Sequence, residues 1–153
     1  METRLHLDEA NRCIMCKNPR CKINCPVSTM IPEVIELYKE NKIQEAGKLL
    51  FDNNPLSLIC SIVCPHEDFC RGNCILEIKG KSVNFPLIEK EISGEYFKKL
   101  KCTSEISLDK RVAIIGSGPS GIVLAIILAK NGYQVTIFER HSKIGRVLKV
   151  WNP

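Results

Sequence analysis

The sequence has no apolar run long enough to span a membrane, and aromatic residues make up only 6% of its 153 residues. A transmembrane helix needs about 20 consecutive apolar residues, so we expect a soluble protein. Proteins that bind single-stranded nucleic acid stack bases on aromatic side chains, and one Trp, three Tyr and five Phe provide little material for such a surface. The scattered Lys and Arg residues are better explained as solvated faces. Nucleic acid is therefore not an expected partner.

An apolar secretory signal is also missing, because the first residues are Met-Glu-Thr-Arg-Leu-His. The predicted compartment is therefore reducing, and we expect the cytoplasm. Under reducing conditions, a disulfide framework is a poor explanation for nine cysteines.

Eight of the nine cysteines form two quartets with short internal spacings. The first quartet is Cys13-x2-Cys16-x4-Cys21-x3-Cys25-Pro26, and the second is Cys60-x3-Cys64-Pro65-x4-Cys70-x3-Cys74. Spacings of two to four residues bring several thiolates from one loop to one metal centre. The first quartet is close to the ferredoxin pattern C-x2-C-x2-C-x3-C-P, in which the fourth cysteine serves the other cluster. The sequence therefore predicts two [4Fe–4S] clusters.

Zinc is the main alternative to iron–sulfur clusters. Structural zinc sites with four cysteines usually use two C-x2-C pairs, and here only Cys13 and Cys16 have that spacing. The formal charge of +5 does not change this interpretation, because it counts thiols as neutral. Two [4Fe–4S]²⁺ cores and seven or eight thiolates would leave a net charge of roughly +1 to +2.

Apolar periodicity predicts a helical iron–sulfur domain over residues 1–102. We expect one helix to be capped by Thr29 and a short helix to be capped by Asn54, with Pro55 at its first position. Further helices are expected around residues 43–50 and 86–100. The polar segment 103–110 is predicted to be a linker, and residues 111–153 are predicted to be the first part of a Rossmann domain.

The segment after the linker contains a glycine-rich loop in its full context. An apolar strand precedes Gly116-Ser117-Gly118-Pro119-Ser120-Gly121, a helix opens there, and a second strand ends at an acid 18 residues beyond the last glycine. Gly116 would allow the tight turn, Gly118 the close approach of a pyrophosphate, and Gly121 the packing of helix on strand. Glu139 would accept hydrogen bonds from a ribose diol, as in FAD or NAD. The predicted nucleotide-binding residues are Gly116, Gly118, Pro119, Ser120, Gly121 and Glu139.

Together these motifs resemble the N-terminal module of glutamate synthase small subunits, dihydropyrimidine dehydrogenases and related NAD(P)H-dependent oxidoreductases with FAD. The resemblance runs from about residue 10 to residue 149. It implies an α-helical, ferredoxin-like domain with two [4Fe–4S] clusters, followed by a partial α/β Rossmann (βαβ) unit. The clusters would pass electrons between FAD and a catalytic centre on a partner subunit or domain.

The resemblance also implies an interleaved ligand set. One cluster would be held by Cys13, Cys16, Cys21 and Cys74, and the other by Cys25, Cys64, Cys70 and a fourth ligand. In relatives, the helix after the last cysteine can supply a carboxylate or amide, and Glu89 occupies that place here. Cys60 is the competing ligand. We expect Cys102 to be a free thiol and His66 to be a solvated loop residue rather than a ligand.

The sequence departs from the family pattern at its end, where Arg146 follows Gly145 in place of a glycine pair. The codons of the family segment Tyr-Gly-Ile-Pro, shifted by one base, give Val-Trp-Asn-Pro, which is how this sequence ends. The expectation is therefore a truncated relative with an incomplete FAD site. In that case NAD(P)H would be used only by the parent enzyme, and hydride transfer would not occur on this chain alone. The alternative functions are a non-enzymatic Fe–S or zinc interaction module and an inactive truncated product.

Overall fold

The computed structural model describes residues 4–101 and 108–145, which form two compact units. One unit ends at Leu100 and the other begins at Lys101. The predicted linker limits of 103–110 stay a prediction, because residues 102–107, including the expected free thiol Cys102, lie outside the described residues. The helices of the first unit are α1 (Leu7–Asn11), α2 (Arg20–Ile23), α3 (Ile31–Lys39), α4 (Ile43–Asn53), α5 (Ser57–Val63), a 3₁₀ helix (Ile75–Lys79) and α6 (Phe85–Lys99).

The core of the helical unit lies where α6 packs against α4 and α5, and α3 packs against α4. The apolar stripe of α3 is the reason, since residues three and four apart share one face of a helix. Val34, Ile35 and Tyr38 are all fully buried on that face. The Tyr38 hydroxyl is also satisfied, because it donates to Glu91 Oε2 at 2.7 Å. Cys70 belongs to this core, and Cys13, Cys21 and Cys74 pack against it.

Both predicted helix caps are wrong. Met30 rather than Thr29 is the N-cap of α3, and Leu56 rather than Asn54 is the N-cap of α5. Asn54 Oδ1 accepts a hydrogen bond from the Leu56 N–H at 3.0 Å, so its side chain closes a turn ahead of the helix. The Thr29 hydroxyl contacts Cys25 Sγ instead of a helix N–H. In each case a polar side chain suited to capping has another local partner.

Gly47 lies at a close approach between α4 and α6. A Cβ at this position would overlap the Cβ and ring of Tyr96, which packs against Phe51 with ring centroids 5.8 Å apart. By contrast, a Cβ at Gly94 in the middle of α6 would meet no atom within 4 Å.

We expect Gly47→Ala to destabilise the protein, because overpacking costs about 1–3 kcal/mol and exceeds the roughly 1 kcal/mol that alanine gains in a helix. Gly94→Ala is the matched control and should be neutral or slightly stabilising. Urea unfolding followed by circular dichroism measures both. Equal stability of the two variants would show that α4 and α6 do not approach so closely.

The second unit contains β1 (Arg111–Ile115), α7 (Pro119–Lys130) and β2 (Gln134–Phe138). The two strands are parallel, with Arg111 paired with Gln134 and Ile115 with Phe138. This βαβ order confirms the predicted fold class of a helical domain followed by a partial Rossmann unit. None of the helices among the described residues is both long enough and apolar enough to cross a bilayer.

Candidate functional site

The eight cysteines of the two quartets line two separate pockets of the helical unit, and none of them forms a disulfide. The cysteines of the first pocket are Cys13, Cys16, Cys21, Cys70 and Cys74. The acidic and thiol groups of the second pocket are Cys25, Cys60, Cys64, Cys70 and Glu89. Each pocket thus combines cysteines from both quartets, and Cys70 borders both pockets. The second pocket also contains Glu89 from α6.

The cysteine loops are shaped by a few unusual backbone positions. Met15, between the first two cysteines, has φ 51°, and Ser28, after Cys25-Pro26, has φ 52°. Such left-handed residues turn the chain sharply. In the second quartet, a Cβ at Gly72 would overlap the carbonyl oxygen of Glu67. Glycine is therefore required for the loop between Cys70 and Cys74 to close.

In the first pocket, the thiols interact with one another electrostatically across the two quartets. Burial and, to a lesser extent, the nearby Cys74, Cys13 and Cys16 together raise the pKa of Cys21 to about 11, against the opposing effect of the Lys22 backbone. Burial likewise raises the pKa of Cys13, against the opposing effects of the Met15 backbone and of Lys39. Cys74 therefore belongs to the surroundings of the first three cysteines, which is the grouping that the resemblance implies.

In the second pocket, burial raises the pKa of Cys64 to about 11 and that of Cys70 to about 12. The charges of Glu89 and Cys25 act on both thiols in the same direction. Cys70 borders both pockets, but its electrostatic neighbours are those of the second. Since thiols with such high pKa values are neutral at pH 7, any metal bound here must displace their protons.

Glu89 is the acid of the second pocket. It is 6% exposed, and burial raises its pKa to about 8. Its carboxylate has no hydrogen-bond or ion-pair partner among residues 4–101 and 108–145. A buried carboxylate without a partner is costly unless a cation or metal centre completes its surroundings.

Cys60 lies in the same pocket, and its sulfur accepts a hydrogen bond from Asn54 Nδ2 at 3.1 Å. The structure therefore brings both candidate fourth ligands together, but only Cys60 already has a polar partner. His66 is half-buried, with Nε2 3.0 Å from the Cys60 carbonyl oxygen, and burial lowers the pKa of its ring. It is more constrained than the solvated loop residue predicted from the sequence.

Mononuclear zinc and a [4Fe–4S] cluster need their ligands at different distances from one another. In the part of the chain that the structure describes, no three His, Cys, Asp or Glu side chains are placed to share a single metal ion. The sulfurs around one tetrahedral zinc ion would lie roughly 3.8 Å apart, because each Zn–S bond is about 2.3 Å. In a cubane cluster, each ligand binds a different iron, so its ligands stand further apart. A four-cysteine zinc site and a [4Fe–4S] cluster therefore require different distances between the ligand sulfurs.

The glycine-rich loop connects β1 to α7 as the sequence predicts. Gly116 has φ 93°, Gly118 is the N-cap of α7 and Pro119 is its first residue. A Cβ at Gly121 would overlap the carbonyl oxygen of Gly116, so glycine is needed for the helix to approach the loop. Ser120 is exposed in the first turn of α7.

Sequence reasoning missed a contact between Ser117 and Glu139. Glu139 Oε2 accepts hydrogen bonds from the Ser117 N–H at 3.0 Å and from the Ser117 hydroxyl at 2.6 Å. Its Oε1 accepts one from the His141 N–H at 2.9 Å. The Ser117 hydroxyl and then these backbone groups lower the pKa of Glu139 to about 2, so it is ionised at neutral pH. Glu139, the predicted ribose acceptor, is thus already hydrogen-bonded to Ser117 of the glycine-rich loop and to the backbone of His141.

Two protein families match this chain. Residues 1–101 match the family described as dihydropyrimidine dehydrogenase domain II, 4Fe-4S cluster, and residues 114–149 match an NAD(P)-binding Rossmann-like domain.

Among curated proteins, the chain is 36% identical over 143 residues to the glutamate synthase [NADPH] small chain of Escherichia coli (strain K12), covering 92% of this chain and 30% of that protein. It is 38% identical over 144 residues to the putative oxidoreductase AegA of the same organism, covering 92% and 22% respectively. Its identity to the glutamate synthase [NADPH] small chain of Azospirillum brasilense is 33% over 147 residues, covering 92% and 30%. The chain therefore spans less than a third of the length of the curated relatives it matches.

Proposed function

Because the chain belongs to the dihydropyrimidine dehydrogenase domain II, 4Fe-4S cluster family, we propose that its helical unit passes electrons through two [4Fe–4S] clusters between FAD and a partner catalytic centre. The observation that carries this proposal is the division of the cysteines between two pockets, with Cys74 in the pocket of the first quartet. Two such centres would relay single electrons over a longer distance than one centre can. A single structural metal ion would need only one group of donors.

In this proposal, each pocket would supply the ligands of one cluster. In the first, the thiolates are Cys13, Cys16, Cys21 and Cys74; in the second, the ligands are Cys25, Cys64, Cys70 and Glu89. When bound, an iron–sulfur cluster accepts and releases one electron at a potential set by its ligands, nearby hydrogen bonds and exposure. The chain's own contribution is to hold these groups in place and to exclude water. Cys70, at 8% exposed, is the most buried of the eight quartet cysteines.

The βαβ unit would bind the adenosine diphosphate end of FAD. The N-terminus of α7 presents free backbone N–H groups beside Gly118, and such groups bind phosphate oxygens. Glu139 is ionised and can accept hydrogen bonds from a ribose diol once it releases Ser117. An acid at this place favours a ribose without a 2′-phosphate. NAD(P)H would then act as the electron donor of the complete enzyme, and a separate subunit or domain would exchange electrons with the clusters.

The metal content of the purified chain tests the proposal directly. Anaerobic preparation from iron-replete cells should yield about eight iron and eight inorganic sulfide per chain, the content of two [4Fe–4S] clusters. Broad visible absorption from thiolate-to-iron charge transfer should bleach on reduction with dithionite. Stoichiometric zinc without sulfide would instead support the non-enzymatic metal-binding module and refute the electron-transfer proposal.

A further inference from the structure

We propose that the hydroxyl of Thr29 raises the reduction potential of the second cluster by donating a hydrogen bond to the Cys25 thiolate. The inference rests on the proposed function, since it takes Cys25 as a cluster ligand. The two side chains are already in contact, with Cys25 Sγ 3.3 Å from Thr29 Oγ1. Thr29 is 5% exposed and lines the same pocket as Cys25.

The backbone fixes this contact. The Ser28 N–H donates to the Cys25 carbonyl oxygen at 2.8 Å, and Ser28 itself has φ 52°, so the chain turns back immediately after the cysteine. The Ile31 N–H then donates to the Thr29 carbonyl oxygen at 2.8 Å, just as α3 begins. Thr29 therefore sits on a rigid turn that faces the sulfur, which explains why it does not cap the helix.

The direction of the hydrogen bond depends on the state of the cysteine. In the free thiol, the Sγ–H donates to the Thr29 hydroxyl oxygen. A cysteine that binds iron has lost this proton, so the only hydrogen left between the two atoms is that of the hydroxyl. Among the described residues, Thr29 Oγ1 has no side-chain partner other than Cys25, and its burial keeps bulk water from competing. The hydroxyl must therefore donate to the thiolate when the cluster is present.

A hydrogen bond to a ligand sulfur favours the reduced cluster, because reduction places more negative charge on the sulfur. The effect should be confined to the second cluster. Within residues 4–101 and 108–145, no side-chain hydroxyl or amide donates a hydrogen bond to a sulfur of the first pocket, where the side-chain contact of Cys13 Sγ is with the Met15 thioether at 3.8 Å. The hydrogen bond from Thr29 should therefore change the potential of the second cluster and not that of the first.

The test is a redox titration of the anaerobically loaded full chain, followed by EPR, on Thr29→Val and Thr29→Ser. Valine keeps the shape of threonine but has no hydroxyl, whereas serine keeps the hydroxyl. Thr29→Val should lower the ratio of reduced to oxidised second cluster at a fixed potential by about tenfold, which corresponds to about 59 mV for a one-electron couple. Thr29→Ser should retain the wild-type midpoint, and the first cluster should titrate unchanged in both variants. Pulsed EPR in D₂O should also detect an exchangeable deuteron near the second cluster that disappears in Thr29→Val.

Iron and sulfide analysis separates this inference from the proposed function. If both clusters are present and the midpoint of the second is unchanged in Thr29→Val, the Thr29 proposal is overturned while the electron-transfer proposal stands. An equal shift in Thr29→Ser would also overturn it, since packing rather than the hydroxyl would then set the potential. If Thr29→Val does not load its clusters, Thr29→Ala provides the same comparison, and a lowered midpoint is again the expected result.

Discussion

Replacing Cys74 by serine should remove the first cluster, even though Cys74 belongs to the second quartet of the sequence. Its side chain lines the pocket formed by Cys13, Cys16 and Cys21, and it acts electrostatically on Cys21. Serine offers a hydroxyl whose proton is far more difficult to remove than that of a thiol, and its oxygen is a harder donor than sulfur, so it is a poor substitute for a thiolate. We expect the loss of about four iron and four sulfide per chain, together with one of the two EPR signals of the reduced protein.

Cys102→Ser provides a control, because this cysteine lies outside both quartets and should be dispensable for metal binding. The informative comparison is with Cys25→Ser, which should remove the other EPR signal. If Cys74→Ser and Cys70→Ser destroyed the same cluster while all four variants of the first quartet destroyed the other, each quartet would hold its own cluster. The interleaved assignment would then be wrong.

The second large effect is expected at Glu89. Glu89→Ala should lower the occupancy of the second cluster or shift its potential, because the carboxylate faces the pocket without any other described partner. Cys60→Ala should leave the spectrum nearly unchanged, since the Cys60 sulfur is already engaged by Asn54. Iron and sulfide content, visible absorption and EPR-monitored midpoint potentials measure both variants.

Glu89→Gln serves as the matched variant, as it keeps an oxygen donor of the same length and removes the charge. We expect it to retain more cluster than Glu89→Ala and to alter the midpoint potential. Loss of the cluster in Cys60→Ala with no change in Glu89→Ala would reverse the assignment. The cluster would then have four thiolate ligands and Glu89 would be a buried acid beside it.

The main helices could be predicted from the sequence because their apolar residues recur at helical spacing. Val34, Ile35 and Tyr38 are buried on α3 as this pattern requires, and the glycine-rich loop joins β1 to α7 where predicted. The short helices α1 and α2 and the 3₁₀ helix were not predicted, since five residues or fewer hold too little periodicity.

The spacing of the cysteines along the sequence could not by itself predict which of them share a pocket. Local spacing constrains residues within one loop, whereas the meeting of Cys74 with the first quartet depends on how α3 and α6 pack. The misassigned caps have a related cause. Capping preferences assume that a side chain has only the helix end to bind, but Thr29 faces a sulfur. The Ser117 contact was missed although a hydroxyl residue inside the glycine loop was a visible signal.

The hydrogen bonds that Glu139 makes to Ser117 also affect how tightly a nucleotide can be held. A ribose that reaches Glu139 must first compete with an N–H at 3.0 Å and a hydroxyl at 2.6 Å, so binding exchanges bonds rather than adding them. The apparent dissociation constant of a bound nucleotide would then be the intrinsic one divided by the fraction of molecules in which Glu139 has released Ser117. Ser117 would thereby act as an internal competitor of the ribose, whereas a ligand that offers phosphate alone would not have to displace it.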